Sequence, residues 1–197
     1  MPSTPPLYTR WDEYFHQLTV TVGSNSRCLS VRRGAVIARG HYIVSTGYNG
    51  PPAGFPHPGT PQFNRLLRGV LEGRPPVGRE DAARELTTLL RREEAMEVCP
   101  RRALGIERGD GQSLCPCAHA ERNAIDTAAR MGHPTSGCAV YVSVGVPCAD
   151  CAYSIVGAGI TECIVEEVKE YDRYGFSGLQ VLRKCGVKVR TYAHREV

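Results

Sequence analysis

The sequence predicts an α/β protein with a mixed β-sheet and helices on both faces. Three observations lead there. Two apolar runs, 35–38 and 42–46, flank a tight Arg39-Gly40-His41 connection and read as a hairpin. From residue 118 onward, helical and strand patterns alternate three times. The chain has 197 residues, 42% of them hydrophobic, enough for a single domain spanning 1–197 with one real core.

Residues 1–9 form a Pro-rich lead. Trp11, Tyr14, Phe15, Leu18 and Val22 recur at helical spacing, which predicts a helix over 11–22. Residues 23–30 are loop-like, and Gly47-Tyr48-Asn49-Gly50-Pro51-Pro52 closes the second strand with turn chemistry. Residues 59–113 turn rich in Arg, Glu, Pro and Gly and read as an insertion. One helix is expected in it, over 81–98, with Ala82, Leu86, Leu89, Leu90 and Met96 available for burial. Then follow a helix at 118–131, a strand at 138–144 and a helix at 148–157. A strand at 160–166, a helix at 176–185 and a strand at 187–192 complete the chain.

Composition excludes several classes. Lys and Arg total 24 against 20 Asp and Glu, a net charge of +4. A duplex-binding protein usually carries more, and in clusters, so nucleic acid is not the expected partner. No apolar run approaches the roughly 18 residues of a membrane span. No signal-peptide pattern opens the chain, so the expected location is the cytoplasm, with no membrane partner. Nine cysteines in such a chain point to metal or catalysis more than to disulfides. Cys138, Cys163 and Cys185 stand among apolar residues and read as buried small hydrophobes.

His119-Ala120-Glu121 precedes Pro147-Cys148-Ala149-Asp150-Cys151 by one helix and one strand. Cys148 and Cys151 are i and i+3 on one helix, so their sulfurs point the same way. A helix start lowers thiol pKa values, and His119 opens a neighbouring helix. Three such ligands leave the fourth zinc position open, which is the catalytic arrangement. Glu121 is not a ligand but lies in the first turn. It can take a proton from the attacking water and hand it to a leaving amine. H-x-E followed by P-C-x-x-C is the zinc deaminase signature.

The chain resembles the deoxycytidylate (dCMP) deaminase family of the cytidine deaminase superfamily over nearly everything except 59–98. The resemblance rests on Trp11-Asp12-Glu13-Tyr14-Phe15, Ser26-Arg27-Cys28-Leu29, Gly34-Ala35-Val36-Ile37, Ser45-Thr46-Gly47-Tyr48-Asn49-Gly50, His119-Ala120-Glu121-Arg122-Asn123 and Pro147-Cys148-Ala149-Asp150-Cys151. It implies the cytidine-deaminase-like α/β/α sandwich around a five-stranded sheet, and hydrolysis of dCMP to dUMP and ammonia, feeding thymidylate synthesis. It also implies Asn49 at the sugar or base, a homo-oligomer with a hexamer favoured, and regulation by dCTP and dTTP near Ser26 and the Gly-Tyr-Asn-Gly turn. Arg27, Arg32, Arg33 and Tyr171 are the candidates for the phosphate. Two rivals are a deaminase acting on a base within nucleic acid and a catalytically silent, zinc-stabilised regulatory protein.

Many members carry a second, structural zinc. Here Cys28, Cys99 and Cys115 match its ligand regions, and Cys117 is preferred to His57 as the fourth, because Pro58 stands where the usual loop ligand would be. Two departures stand out. The segment Ser143-Val144-Gly145-Val146-Pro147-Cys148 is one residue longer than the family pattern. Val146 therefore belongs to a backbone stretch expected to face the base. Arg33 replaces an apolar residue, either as an exposed strand-edge residue or as a phosphate contact. Both departures are compatible with a 5-substituted dCMP as substrate.

Overall fold

The computed structural model describes residues 7–92, 97, 99–107, 110–170 and 175–192. Among these, the elements in chain order are α1 (Leu7–Ser24), β1 (Gly34–Arg39), β2 (Tyr42–Tyr48), α2 (Pro61–Gly73), α3 (Glu80–Arg92), α4 (Pro100–Ala103), α5 (Ala120–Arg130), β3 (Ala139–Val142), α6 (Ala149–Gly157), β4 (Glu162–Val165), α7 (Gly178–Lys184) and β5 (Lys188–Thr191). They group into two units. One holds the residues up to 26, then 32–49, then everything from 119 onward. The other holds 27–31 and 50–118. No helix among the described residues is long and apolar enough to cross a membrane.

The first unit is built on a five-stranded sheet in the order β2-β1-β3-β4-β5. β1 runs antiparallel to β2 and β3, whereas β3, β4 and β5 are parallel. Alternation along the strands sorts the side chains onto two faces. Val36, Ala38, Tyr141 and Ile164 pack with Phe15 of α1 and with Tyr192. Ala35, Ile37, Val140, Val142, Cys163 and Val165 pack with Ala120 and Ala124 of α5, Ile155 of α6 and Leu182 of α7. Helices therefore cover both faces of a mixed sheet, as expected.

Two glycines permit close packing. A Cβ on Gly34 would overlap the Thr19 carbonyl of α1, and one on Gly47 would overlap the Ala120 carbonyl and Ala124 nitrogen of α5. Gly47 and Tyr48 are ladder residues of β2, paired with Ala35 and Gly34, so the strand runs two residues into the expected turn. The ends of β3, β4, β5 and α7 are each drawn in from the expected limits. Cys138 and Cys163 are fully buried, but Cys185 is exposed, because it stands at the C-cap, past the last helical residue of α7.

The second unit has its own core. Phe63, Leu67 and Leu71 of α2 meet Ala83, Leu86 and Leu90 of α3, with Leu104 beside them. Among the described residues, three helices, α2, α3 and the one-turn α4, thus stand where one was expected. The Thr60 hydroxyl caps α2 by accepting the Phe63 N–H at 3.3 Å, and Pro61 occupies the first helical position. In α3 the buried stripe is Ala83, Leu86, Thr87 and Leu90, while Leu89 is exposed, because α2 selects the i, i+3, i+4, i+7 face. Met96 and the end of the expected 81–98 helix lie outside the described residues.

Candidate active site and metal centre

His119 and Cys148 hold the same position on two helices. Each is the N-cap residue, of α5 and α6 respectively, in extended backbone conformation, and neither side chain makes a capping hydrogen bond. Ser, Thr, Asp or Asn at such a position would turn back to bond the helix N–H groups. His and Cys instead project toward one another. His119 Nδ1 lies 3.4 Å from Cys148 Sγ and 3.3 Å from Cys151 Sγ. Cys151, one turn into α6, is fully buried. Among the described residues, this is the one group of three His, Cys or carboxylate side chains whose ligand atoms all lie within 4.8 Å of one another. Two sulfurs and an imidazole nitrogen at this spacing suit zinc.

The electrostatics agree with a cation site. Hydrogen bonding from Cys151, helped by His119, pulls the Cys148 thiol down to about 4. Cys151 is pushed up, first by its hydrogen bond to Cys148 and then by burial. Glu121 sits in the first turn of α5, 8% exposed, with Oε2 3.9 Å from Cys151 Sγ. Burial pushes its carboxyl up from the usual carboxylate range, opposed by the positive charges of His119 and Arg33. A carboxyl that holds its proton more firmly in this setting is suited to shuttling one.

The surrounding residues are pinned by backbone bonds. Asn49 is buried; its side-chain oxygen accepts the Arg33 N–H at 2.7 Å. Ser26 is buried too, and its hydroxyl donates to the Asn49 carbonyl at 2.6 Å, so Ser26 supports Asn49. Asn123 Nδ2 donates to the Tyr48 carbonyl at 2.7 Å. In the sequence, Asn123 is marked only by its place four residues after His119. The 143–148 segment keeps its hold despite the extra residue. Ser143 exchanges bonds with Gly34, the Val144 carbonyl accepts the Glu166 N–H, and the Val146 N–H donates to the Lys169 carbonyl at 3.1 Å. Val146 itself is buried.

Arg32 and Arg33 line a cavity of about 310 Å³ with Thr19, Ser24 and Ser143. Arg27 is exposed and belongs to the second unit. Tyr171 lies outside the described residues.

The second unit gathers three of the other cysteines. Hydrogen bonding from the Cys117 thiol pulls Cys28 down to about 5 and Cys115 to about 6, with the Arg101 cation adding to both. Cys117 is pushed up, chiefly by Cys115 and then Cys28. Cys99 is buried at the start of α4. His57 Nδ1 is buried without a hydrogen-bond partner, as is Arg101 Nε.

A mixed sheet carrying a His and a Cys pair on adjoining helix starts, with a buried carboxyl beside them, has the arrangement of the zinc deaminase signature. Residues 9–167 match the model of the cytidine and deoxycytidylate deaminase zinc-binding region, and the chain belongs to that family. It is 28% identical over 194 residues to the deoxycytidylate deaminase of Saccharomyces cerevisiae, across 98% of this chain and 48% of the yeast protein. The chain thus spans about half the length of that relative. It is 29% identical over 179 residues to the deoxycytidylate deaminase of Enterobacteria phage T4, across 88% of this chain and 85% of the phage protein. The dCMP deaminase of cyanophage S-TIM5, solved in complex with dCMP and dUMP, shares the fold. Its TM-score is 0.59 and its identity 20%, covering 92% of this chain and 96% of that one.

Proposed function

We propose that this chain deaminates dCMP, or a 5-substituted dCMP, to the corresponding dUMP and ammonia. The observation that carries this is the convergence of His119, Cys148 and Cys151 within 4.8 Å beside the buried Glu121. A zinc ion held by those three residues would supply Lewis acidity and lower the pKa of water. Glu121 takes one proton from the attacking water and delivers it to the ring nitrogen beside the reacting carbon; it then takes the second proton from the newly added hydroxyl and gives it to the amine, so that the C–N bond breaks as the carbonyl forms. Water and dCMP are consumed; dUMP and ammonia leave. The β3–α6 backbone around Val146 faces the exocyclic amine. Asn49 orients the sugar, and Arg27, Arg32, Arg33 or Tyr171 receives the phosphate.

The finer assignments extend the same reading. The cavity lined by Arg32, Arg33, Thr19, Ser24 and Ser143 is basic and suits a phosphate group, and dCTP and dTTP are the proposed effectors. A second, structural zinc is held by Cys28, Cys115 and Cys117, with Cys99 or His57 completing four ligands; the orphaned His57 Nδ1 supports His57. The working form is a cytoplasmic homo-oligomer, with a hexamer favoured.

The test is ammonia release from dCMP, deoxycytidine, a 5-substituted dCMP and a cytosine-containing DNA strand, each with and without dCTP. Turnover of the nucleotides with poor use of deoxycytidine is expected. Equal efficiency on nucleoside and nucleotide, or deamination within the strand, would overturn the proposal.

A further inference from the structure

Gly178, the first residue of α7, meets the metal-ligand loop backbone to backbone. A Cβ built there would overlap the Pro147 carbonyl oxygen and stand 3.0 Å from the Cys148 carbonyl carbon. Both are main-chain atoms, so no side chain can swing aside to make room. The start of α7 is itself held firmly. Ser177 Oγ accepts the Gln180 N–H at 3.2 Å, Gln180 Oε1 accepts the Ser177 N–H at 3.2 Å, and Ser177 Oγ donates to Glu170 Oε1 at 2.5 Å. Ser177 is 6% exposed. Behind this start, Val181 and Leu182 are packed into the same core as Ala152 and Ile155 of α6. The Pro147–Cys148 peptide therefore rests on a seat fixed by a capping box and a core.

We propose that Gly178 is a positioning residue for the reaction. Its missing side chain lets α7 seat directly under Pro147–Cys148, and this contact sets where the Cys148 sulfur stands relative to His119 and Cys151. The proposal rests on the zinc reading of those three residues. Metal geometry tolerates small errors poorly, and groups that brace ligands typically influence metal affinity about 10–100-fold.

The experiment replaces zinc with Co²⁺ in the full chain and compares the wild type with Gly178→Ala. The readouts are the thiolate-to-cobalt charge-transfer and visible bands, Co²⁺ affinity by chelator competition, and the split between kcat and KM. Any cobalt held by Cys28, Cys115 and Cys117 contributes alike to both proteins and drops out of the difference. Expected are shifted bands, affinity weakened about 10–100-fold, and a fall in kcat larger than any rise in KM. Wild-type bands and affinity in Gly178→Ala would overturn the proposal, even if the variant melts earlier. Should Gly178→Ala fail to fold, Ser177→Ala loosens the seat without adding bulk; it should move bands and affinity in the same direction, and wild-type values there would overturn the proposal. A wild type with no cobalt–thiolate bands at all would overturn the zinc reading and this proposal together.

Discussion

Asn49 and Arg33 are locked to each other by reciprocal hydrogen bonds: the Arg33 N–H donates to Asn49 Oδ1 at 2.7 Å, and the Asn49 N–H donates to the Arg33 carbonyl at 3.1 Å. The pair fixes the exit of β2 against the entry of β1, beside Ser26, whose hydroxyl holds the Asn49 carbonyl. Asn49→Ala removes the side-chain acceptor and leaves the Arg33 N–H unmatched. Such a loss costs about 1–3 kcal/mol. Urea unfolding should show a drop of that size, and a change of only a few tenths would mean the Arg33 N–H finds water instead.

Glu121→Gln tests the proton carrier without changing its shape. The amide can neither take nor give the proton, yet it leaves His119, Cys148 and Cys151 untouched. Zinc content by elemental analysis and far-UV circular dichroism should match the wild type. Turnover of dCMP should fall at least about 10²–10⁴-fold. Activity within a few-fold of wild type would remove Glu121 from the chemistry.

The site was legible in the sequence because its chemistry is local. A His, a carboxylate two residues on and a Cys pair at i and i+3 after a proline can be seen without knowing what packs on them. The hairpin was legible for the same reason: alternation and turn residues sit side by side. The second unit was not. Arg-rich α2 exposes most of its length, and Phe63, Leu67 and Leu71 become a core only when Ala83, Leu86 and Leu90 face them. Leu89 and Cys185 look buried by type, but partners distant in sequence decide which face turns inward. Gly178 carried no signal at all, because the backbone it meets, at Pro147 and Cys148, is distant in sequence.

Arg190 of β5 joins the far ends of the chain. Its guanidinium donates to Asp12 of α1 at 2.5 and 3.1 Å, and to Glu162 of β4 at 2.8 Å. The Asp12 side chain is 4% exposed. Arg190→Met keeps the stem but removes the cation that faces a buried carboxylate, which costs about 3–5 kcal/mol. Thermal unfolding should register this as a large loss. The double variant Asp12→Leu with Arg190→Met should recover much of it, since no buried charge is then left unpaired.

Tyr141 gives a pH signature at the alkaline end. Burial and the neighbouring Asp12 push its hydroxyl up to about 12. The unfolded value is about 10. The folded protein therefore holds this proton more tightly, and the resulting stability is complete below pH about 10 and lost as pH rises through about 12. Unfolding free energy measured from pH 9 upward should fall more steeply in wild type than in Tyr141→Phe. Parallel curves would show that Tyr141 ionises as easily folded as unfolded.

The metal count separates one zinc from two. Fully loaded protein should contain two zinc ions per chain, one at His119, Cys148 and Cys151 and one in the second unit. Cys117 is the thiol that both Cys28 and Cys115 engage, so it is the position whose loss should disperse the group. A structural zinc contributes directly to folding, and its ligands are needed as a set. Cys117→Ser should therefore bind one zinc, and hydrogen exchange should accelerate across 50–118 before it changes around α5 and α6. His57→Ala and Cys99→Ser identify the fourth ligand, because only the true one lowers the count. One zinc in the wild type, with Cys117→Ser unchanged in stability and exchange, would leave Cys28, Cys115 and Cys117 as hydrogen-bonded thiols and no more.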